Sequence, residues 1–263
     1  MDTGVIVERI FSIASLRSRG SIPSLLRNLI WRLAITANQT NILAIDTARG
    51  FCSIALQLED VFFEDTRNVV RMHNECVLPM IDDLMRHAGV EPADLHAIAF
   101  GCGPGSFTGI RIAASVTQGI ALASGASVVP VSSSKALAHS WLTANSLSEG
   151  RVLTVTRSKK DAWYVAGYAL IDGRLHRQID DHLTTDAFDW ASLEDVEWSI
   201  VGDRPDWLGA SPREYNFEEG FELKIGSILT LAKQDLVEEG SVDAEMALPV
   251  YLSADSPWRP VRP

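Results

Sequence analysis

The sequence predicts an α/β fold in two unequal halves, with mixed β-sheets flanked by helices. Three observations carry this. The run Asn41-Ile-Leu-Ala-Ile-Asp46-Thr47 is almost continuously apolar and ends in a polar pair, the pattern of a buried strand with functional groups at its carboxyl end. The patterns over residues 41–141 then follow the order β-β-β-α-β-α-β-α. From Arg151 the chain restarts with strands.

Each element has its own signal. Phe51 to Glu59 alternates, with Cys52, Ile54, Leu56 and Leu58 on one side. Val61 to Arg67 follows across the acidic Glu59-Asp60 turn, giving an antiparallel meander. His73 to Ala88 has helical spacing, with Val77, Met80, Ile81 and Leu84 inward and Gly89 as the stop; Pro79 requires the helix either to start near it or to kink there. Leu95 to Gly101 reads as a buried strand, Gly109 to Gly125 as a helix of small residues, and Ser127 to Val131 as a strand. Ser132 to Trp141 reads as a helix with Ser132, Ser133 and Ser134 available as caps. In the second half, strands are expected at Arg151–Thr156 and Ala162–Leu170. Asp172-Gly173 turns the chain into Arg174–Asp180. From about Thr184 the pattern loosens, with Trp190, Trp198 and Trp207 scattered through it. Ile225 to Glu239 is a clear helix, and Leu248 to Leu252 is expected to be a final short strand. No sequence repeat is visible beyond a weak echo of strands followed by a helix.

Charge divides the chain differently. The 263 residues carry a net charge of −11, yet residues 1–40 hold five Arg against two acids. The remaining residues hold 18 basic and 32 acidic side chains, or −14. A body of that charge is a poor principal surface for nucleic acid, whose binding is dominated by phosphate contacts. No apolar run approaches the roughly 18 residues that a membrane span requires. The three cysteines, Cys52, Cys76 and Cys102, are odd in number and widely spaced, which fits buried structural thiols in a reducing cytosol. Residues 1–40 are Ser- and Arg-rich, with Leu25, Leu26, Leu29, Ile30 and Leu33 on one helical face. They read as a dangling arm, an organelle presequence or a docking helix. The domain reading is therefore an extension over 1–40, a first lobe over 41–150 and a divergent second lobe over 151–263.

The most informative segment is Gly101-Cys-Gly103-Pro104-Gly105-Ser106-Phe107-Thr108-Gly109-Ile-Arg111, between a buried strand and a helix. Glycines there permit positive φ and close backbone approach, and a helix N-terminus favours anions. The segment fits neither the G-x-x-x-x-G-K-S/T nor the G-x-G-x-x-G spacing. It also lacks the G-x-S-x-G nucleophile pattern. A tight strand-to-helix connection explains the glycines equally well. This loop with its flanks closely resembles the TsaB (YeaZ) family of tRNA threonylcarbamoyladenosine (t6A) biosynthesis. Three further stretches agree in order and spacing: Ile42 through Thr47, His73 through Ile81, and Val129-Pro-Val-Ser-Ser133. The tail Pro249-Val-Tyr-Leu252 with Trp258 also looks like the family's end.

The resemblance implies the two-lobed fold of actin, Hsp70 and sugar kinases (the ASKHA fold). It also implies a non-catalytic role beside a TsaD paralogue that transfers threonylcarbamoyl to the adenosine next to the anticodon, with a TsaE-like ATPase in the assembly. It implies that first-lobe helices form a homodimer surface shared with the TsaD contact, that tRNA is met only through the partner, and that ADP or ATP can sit at the partner interface with no intrinsic cofactor. TsaD holds a metal with two His four apart after its V-P-V strand; the corresponding residues here are Ser133 and Leu137, and Leu137 cannot ligate. The site candidates carried over are Asp46, Thr47, His73, Gly103, Pro104, Gly105, Ser106, Phe107, Thr108, Gly109 and Arg111. One departure is Arg157, which stands where the family usually has an Asp; with Lys159 and Lys160 it forms the body's basic run. The competing reading is a phosphotransferase or ATPase using Asp46 and the Gly103–Gly109 loop. A peptidase is disfavoured, since neither the His pair nor a Ser/His/Asp arrangement is recognisable.

Overall fold

The computed structural model describes residue 33 and residues 40–69, 72–185, 188–193 and 196–252. The apolar helical face expected within the first forty residues lies outside these, apart from Leu33, and so does Trp258.

The first sheet contains β1 (Asn41–Asp46), β2 (Phe51–Leu58), β3 (Val61–Asn68), β4 (Ala97–Gly103) and β5 (Ser127–Ser132), in the spatial order β3-β2-β1-β4-β5. β1 pairs antiparallel with β2 and parallel with β4, in register at Ala44↔Ala55 and Ala44↔Ala99. As the central strand it is covered on both faces, which is why its apolar residues run without a break. Successive side chains alternate between faces, and the two faces differ in size. Leu43, Ile45, Ile54, Leu56, Ile98 and Phe100 pack with α1 (His73–Ala88) and α2 (Phe107–Ser124). Ala44, Ala55, Ala97 and Ala99 line the opposite face. There, short side chains leave room for α3 (Ser133–Ala144) and α4 (Ile225–Glu238) to lie close.

The second sheet contains β6 (Gly150–Lys159), β7 (Ala162–Ile171), β8 (Arg174–Thr184), β9 (Ser199–Gly202) and β10 (Asn216–Glu219), in the order β10-β9-β6-β7-β8. Its polarity repeats the first sheet: β6 is antiparallel to β7 and parallel to β9, β7 is antiparallel to β8, and β9 is parallel to β10. The weak echo in the sequence is thus a full duplication of sheet topology. One face of this sheet is covered by an aromatic cluster of Trp163, Phe188, Trp198 and Trp207. The other shares a core with the first lobe, where Val152, Ala166, Tyr168 and Val201 meet α3 and α4.

Several boundaries differ from the sequence reading. β4 runs on through Gly103, so the first glycines of the loop are strand residues. α2 begins at Phe107, two residues early, because Ser106 caps it with its hydroxyl accepting from Gly109 N–H at 3.3 Å. α1, by contrast, has the limits its sequence predicts, and it accommodates Pro79 internally. Ser132 is the serine that caps α3. The expected final strand at Leu248–Leu252 is not a strand: its tie to the fold is a backbone bond from Val250 N–H to Cys102 O at 2.8 Å. The loose stretch after Thr184 contains β9 and β10, each four residues and too short to show a period.

Candidate functional site

The end of β1 and the glycine loop form one packed unit. A Cβ at Gly101 would overlap Asp46 Oδ1, one at Gly105 would crowd Ala48, and one at Gly109 would overlap the Thr47 carbonyl. Three glycines therefore face three consecutive residues, Asp46, Thr47 and Ala48. Gly103 has φ +107°, open to glycine without strain, and precedes a cis bond to Pro104. Hydrogen bonds close the unit. Ser106 N–H donates to Ala48 O at 2.7 Å, and the buried Thr47 hydroxyl donates to Gly109 O at 2.7 Å. These glycines are needed because the backbone of one strand end lies against the loop.

Asp46 is 4% exposed. Its Oδ1 has no hydrogen-bond partner among the described residues. Burial pushes its pKa up to about 6, opposed by a backbone bond at Ala48 and by the Arg49 guanidinium, while Glu222 adds to the rise. Arg49 was not singled out from the sequence, yet it carries the polar contacts around Asp46. It reaches Glu222 at 3.2 Å, Asp203 at 3.8 Å and the Thr156 hydroxyl at 3.1 Å. His73, the first residue of α1, places Nε2 3.1 Å from Arg49 O. Arg157, which the resemblance aligns with an Asp, donates its backbone N–H to Asp203 Oδ2 at 2.7 Å. A carboxylate is present there, supplied from the end of β9.

The remaining candidates lie elsewhere. Phe107, Thr108 and Arg111 line a groove of about 350 Å³ between α1 and α2, with Leu78 opposite. Phe107 and Leu78 are about half exposed. The Arg111 guanidinium lies 3.6 Å over the Phe107 ring, and its Nε donates to Tyr251 OH at 2.8 Å. The sequence candidates thus split into a group at the end of β1 (Asp46, Thr47, His73, Pro104, Ser106 and the glycines) and an outer-groove group (Phe107, Thr108 and Arg111).

On α3, Ser133 Oγ accepts from Gly103 N–H at 3.3 Å, and Leu137 is core. Among the described residues, no three His, Cys, Asp or Glu side chains come together in a way that could hold a metal ion. His139 contacts Ser227 Oγ through Nδ1 at 2.9 Å, and burial pushes its pKa down. Burial likewise pushes the Cys52 and Cys102 thiols up to about 12, so both are inert at neutral pH.

Two five-stranded mixed sheets of the same strand order and polarity, flanked by helices and joined by a shared core, define the class: a two-lobed α/β protein. Comparison with known proteins narrows this. The family model described as tRNA N6-adenosine threonylcarbamoyltransferase, TsaD, matches residues 66–190. The chain is 31% identical over 229 residues to the tRNA threonylcarbamoyladenosine biosynthesis protein TsaB of Escherichia coli, covering 83% of this chain and 96% of that protein. It is 30% identical over 100 residues to the tRNA N6-adenosine threonylcarbamoyltransferase of Burkholderia cenocepacia, 29% of that protein's length. The solved structure of YeaZ from Pseudomonas aeruginosa superposes with a TM-score of 0.73 at 31% identity, covering 81% of this chain and all of that one. The chain belongs to the TsaB family.

Proposed function

We propose that this chain is an accessory subunit of t6A formation: it binds a TsaD-like catalytic paralogue and supports threonylcarbamoyl transfer without carrying the chemistry. The near full-length relation to TsaB carries this reading. The residues agree with it. Where TsaD's metal-holding pair would stand there is a serine bonded to backbone and a buried leucine. The glycine loop is closed on Asp46, Thr47 and Ala48. The half-exposed apolar groove between α1 and α2 is the surface we assign to the TsaD-like partner, and to a second copy of this chain in its absence. Participation of a TsaE-like ATPase, ADP or ATP at the partner interface, indirect contact with tRNA and a cytoplasmic setting complete the proposal. Among the described residues no helix is long and apolar enough to cross a membrane.

Two measurements test it. Deleting the gene should remove t6A from bulk tRNA, as read by mass spectrometry of nucleosides, and re-expression should restore it. Calorimetry of the purified chain with its cognate TsaD should show association; no association would end the accessory-subunit reading. A phosphotransferase or ATPase acting through Asp46 is the second reading. It requires magnesium-dependent turnover by the isolated chain that Asp46→Asn abolishes.

A further inference from the structure

The cleft between the two lobes is occupied by one of the chain's own side chains. Arg49 lies on the β1–β2 connection of the first lobe, with its side chain only 10% exposed. Its guanidinium is directed across the cleft. NH1 donates to Thr156 Oγ1 on β6 at 3.1 Å, NH2 lies 3.8 Å from Asp203 just past β9, and Nε lies 3.2 Å from Glu222 on the approach to α4. A guanidinium offers five donors in a fixed fork, so one residue can engage three separate segments at once. Its backbone is held as well, by His73 Nε2 at Arg49 O. Asp46, three residues earlier at the end of β1, is more than nine-tenths buried; its Oδ1 has no hydrogen-bond partner among the described residues, and it feels the Arg49 charge. A second polar tie crosses between the lobes elsewhere. The Ser134 hydroxyl, at the start of α3, meets Tyr168 OH at 2.9 Å and donates to Asp181 of β8.

We infer that Arg49 is an inter-lobe clamp that holds the cleft over Asp46 closed, so that the two lobes move as one body and access to Asp46 requires this side chain to let go. The inference is independent of the partner assignment, since it concerns only how the lobes of one chain are held. Arg49 has acids from two different segments as partners. Removing it leaves Asp203 and Glu222 facing the cleft without their cation, which favours opening.

Hydrogen exchange followed by mass spectrometry on the full chain tests this, comparing wild type with Arg49→Met. The expected result is exchange about tenfold faster in three places together: Ala48–Gly50, Thr156–Arg157 and Gly202–Arg204. β4 and β5 should be unchanged. Acceleration confined to Ala48–Gly50 would reduce Arg49 to a local turn residue and overturn the clamp; no acceleration at all would do the same. If Arg49→Met fails to fold, as judged by circular dichroism, Glu222→Gln is read instead. It should accelerate the same three segments by a smaller factor, and wild-type rates in that variant would count against the clamp.

Discussion

Asp46 has one environment for its backbone and another for its carboxylate. The backbone ends a buried strand, while the side chain holds an oxygen without a partner among the described residues. With its pKa raised from 3.8 to about 6, the folded state holds this proton more tightly than the unfolded chain. The stability that Asp46 contributes is therefore full below about pH 4 and is lost as the pH rises through 6. Asp46→Asn should be more stable than wild type at pH 7 by on the order of 2–3 kcal/mol. That difference should shrink toward zero by pH 4 in urea denaturation across the range. The glycines make the opposite prediction. Gly109→Ala drives a methyl into the Thr47 carbonyl, so it should cost roughly 3 kcal/mol, and the loss should appear in the same urea midpoints. The glycines were legible as a motif in the sequence. Their reason was not, because Gly109 and Thr47 are 62 positions apart.

At the scale of elements, local signals read well where the period had room to show. α1 was read with its observed limits because apolar residues at helical spacing are bounded by Gly89, which adopts φ +72°. β9 and β10 were missed because four residues cannot display alternation that survives the surrounding turns. The tail at Leu248–Leu252 has the composition of a strand. Its observed tie to the fold is the Val250 bond to Cys102 O, and Tyr251 is held over Arg111. α2 depends on its cap. Ser106→Ala removes the side-chain acceptor at its N-terminus and should cost about 1 kcal/mol, as measured by thermal or urea unfolding. The groove beside it should tolerate charge without unfolding, since Leu78 and Phe107 are already about half exposed. Leu78→Glu and Phe107→Glu should each keep the fold, as seen by circular dichroism, and weaken calorimetric association with the TsaD-like partner by about tenfold or more.

At the scale of the molecule, one core joins the lobes. β1, β2, β4 and β5 contribute to it from one sheet and β6, β7 and β9 from the other, with α3 and α4 between. Acidity lies on both sides of the chain's midpoint, with 11 acids against 6 bases over residues 41–150 and 21 against 12 over 151–263. That charge supports the proposed accessory role, in which a partner and not this chain supplies the main tRNA surface. The sequence by itself determined the alternation of strands and helices through the first lobe, the glycine loop and the family, because these are written in short-range patterns and in contiguous motifs. Only the tertiary structure decided that the second sheet repeats the first, that α4 packs against the first sheet, and that Arg49 reaches Thr156, Asp203 and Glu222. Arg49 and Thr156 lie 107 positions apart, and no local period or propensity joins residues at that separation. Their meeting is set by how the two sheets bury their faces against shared helices.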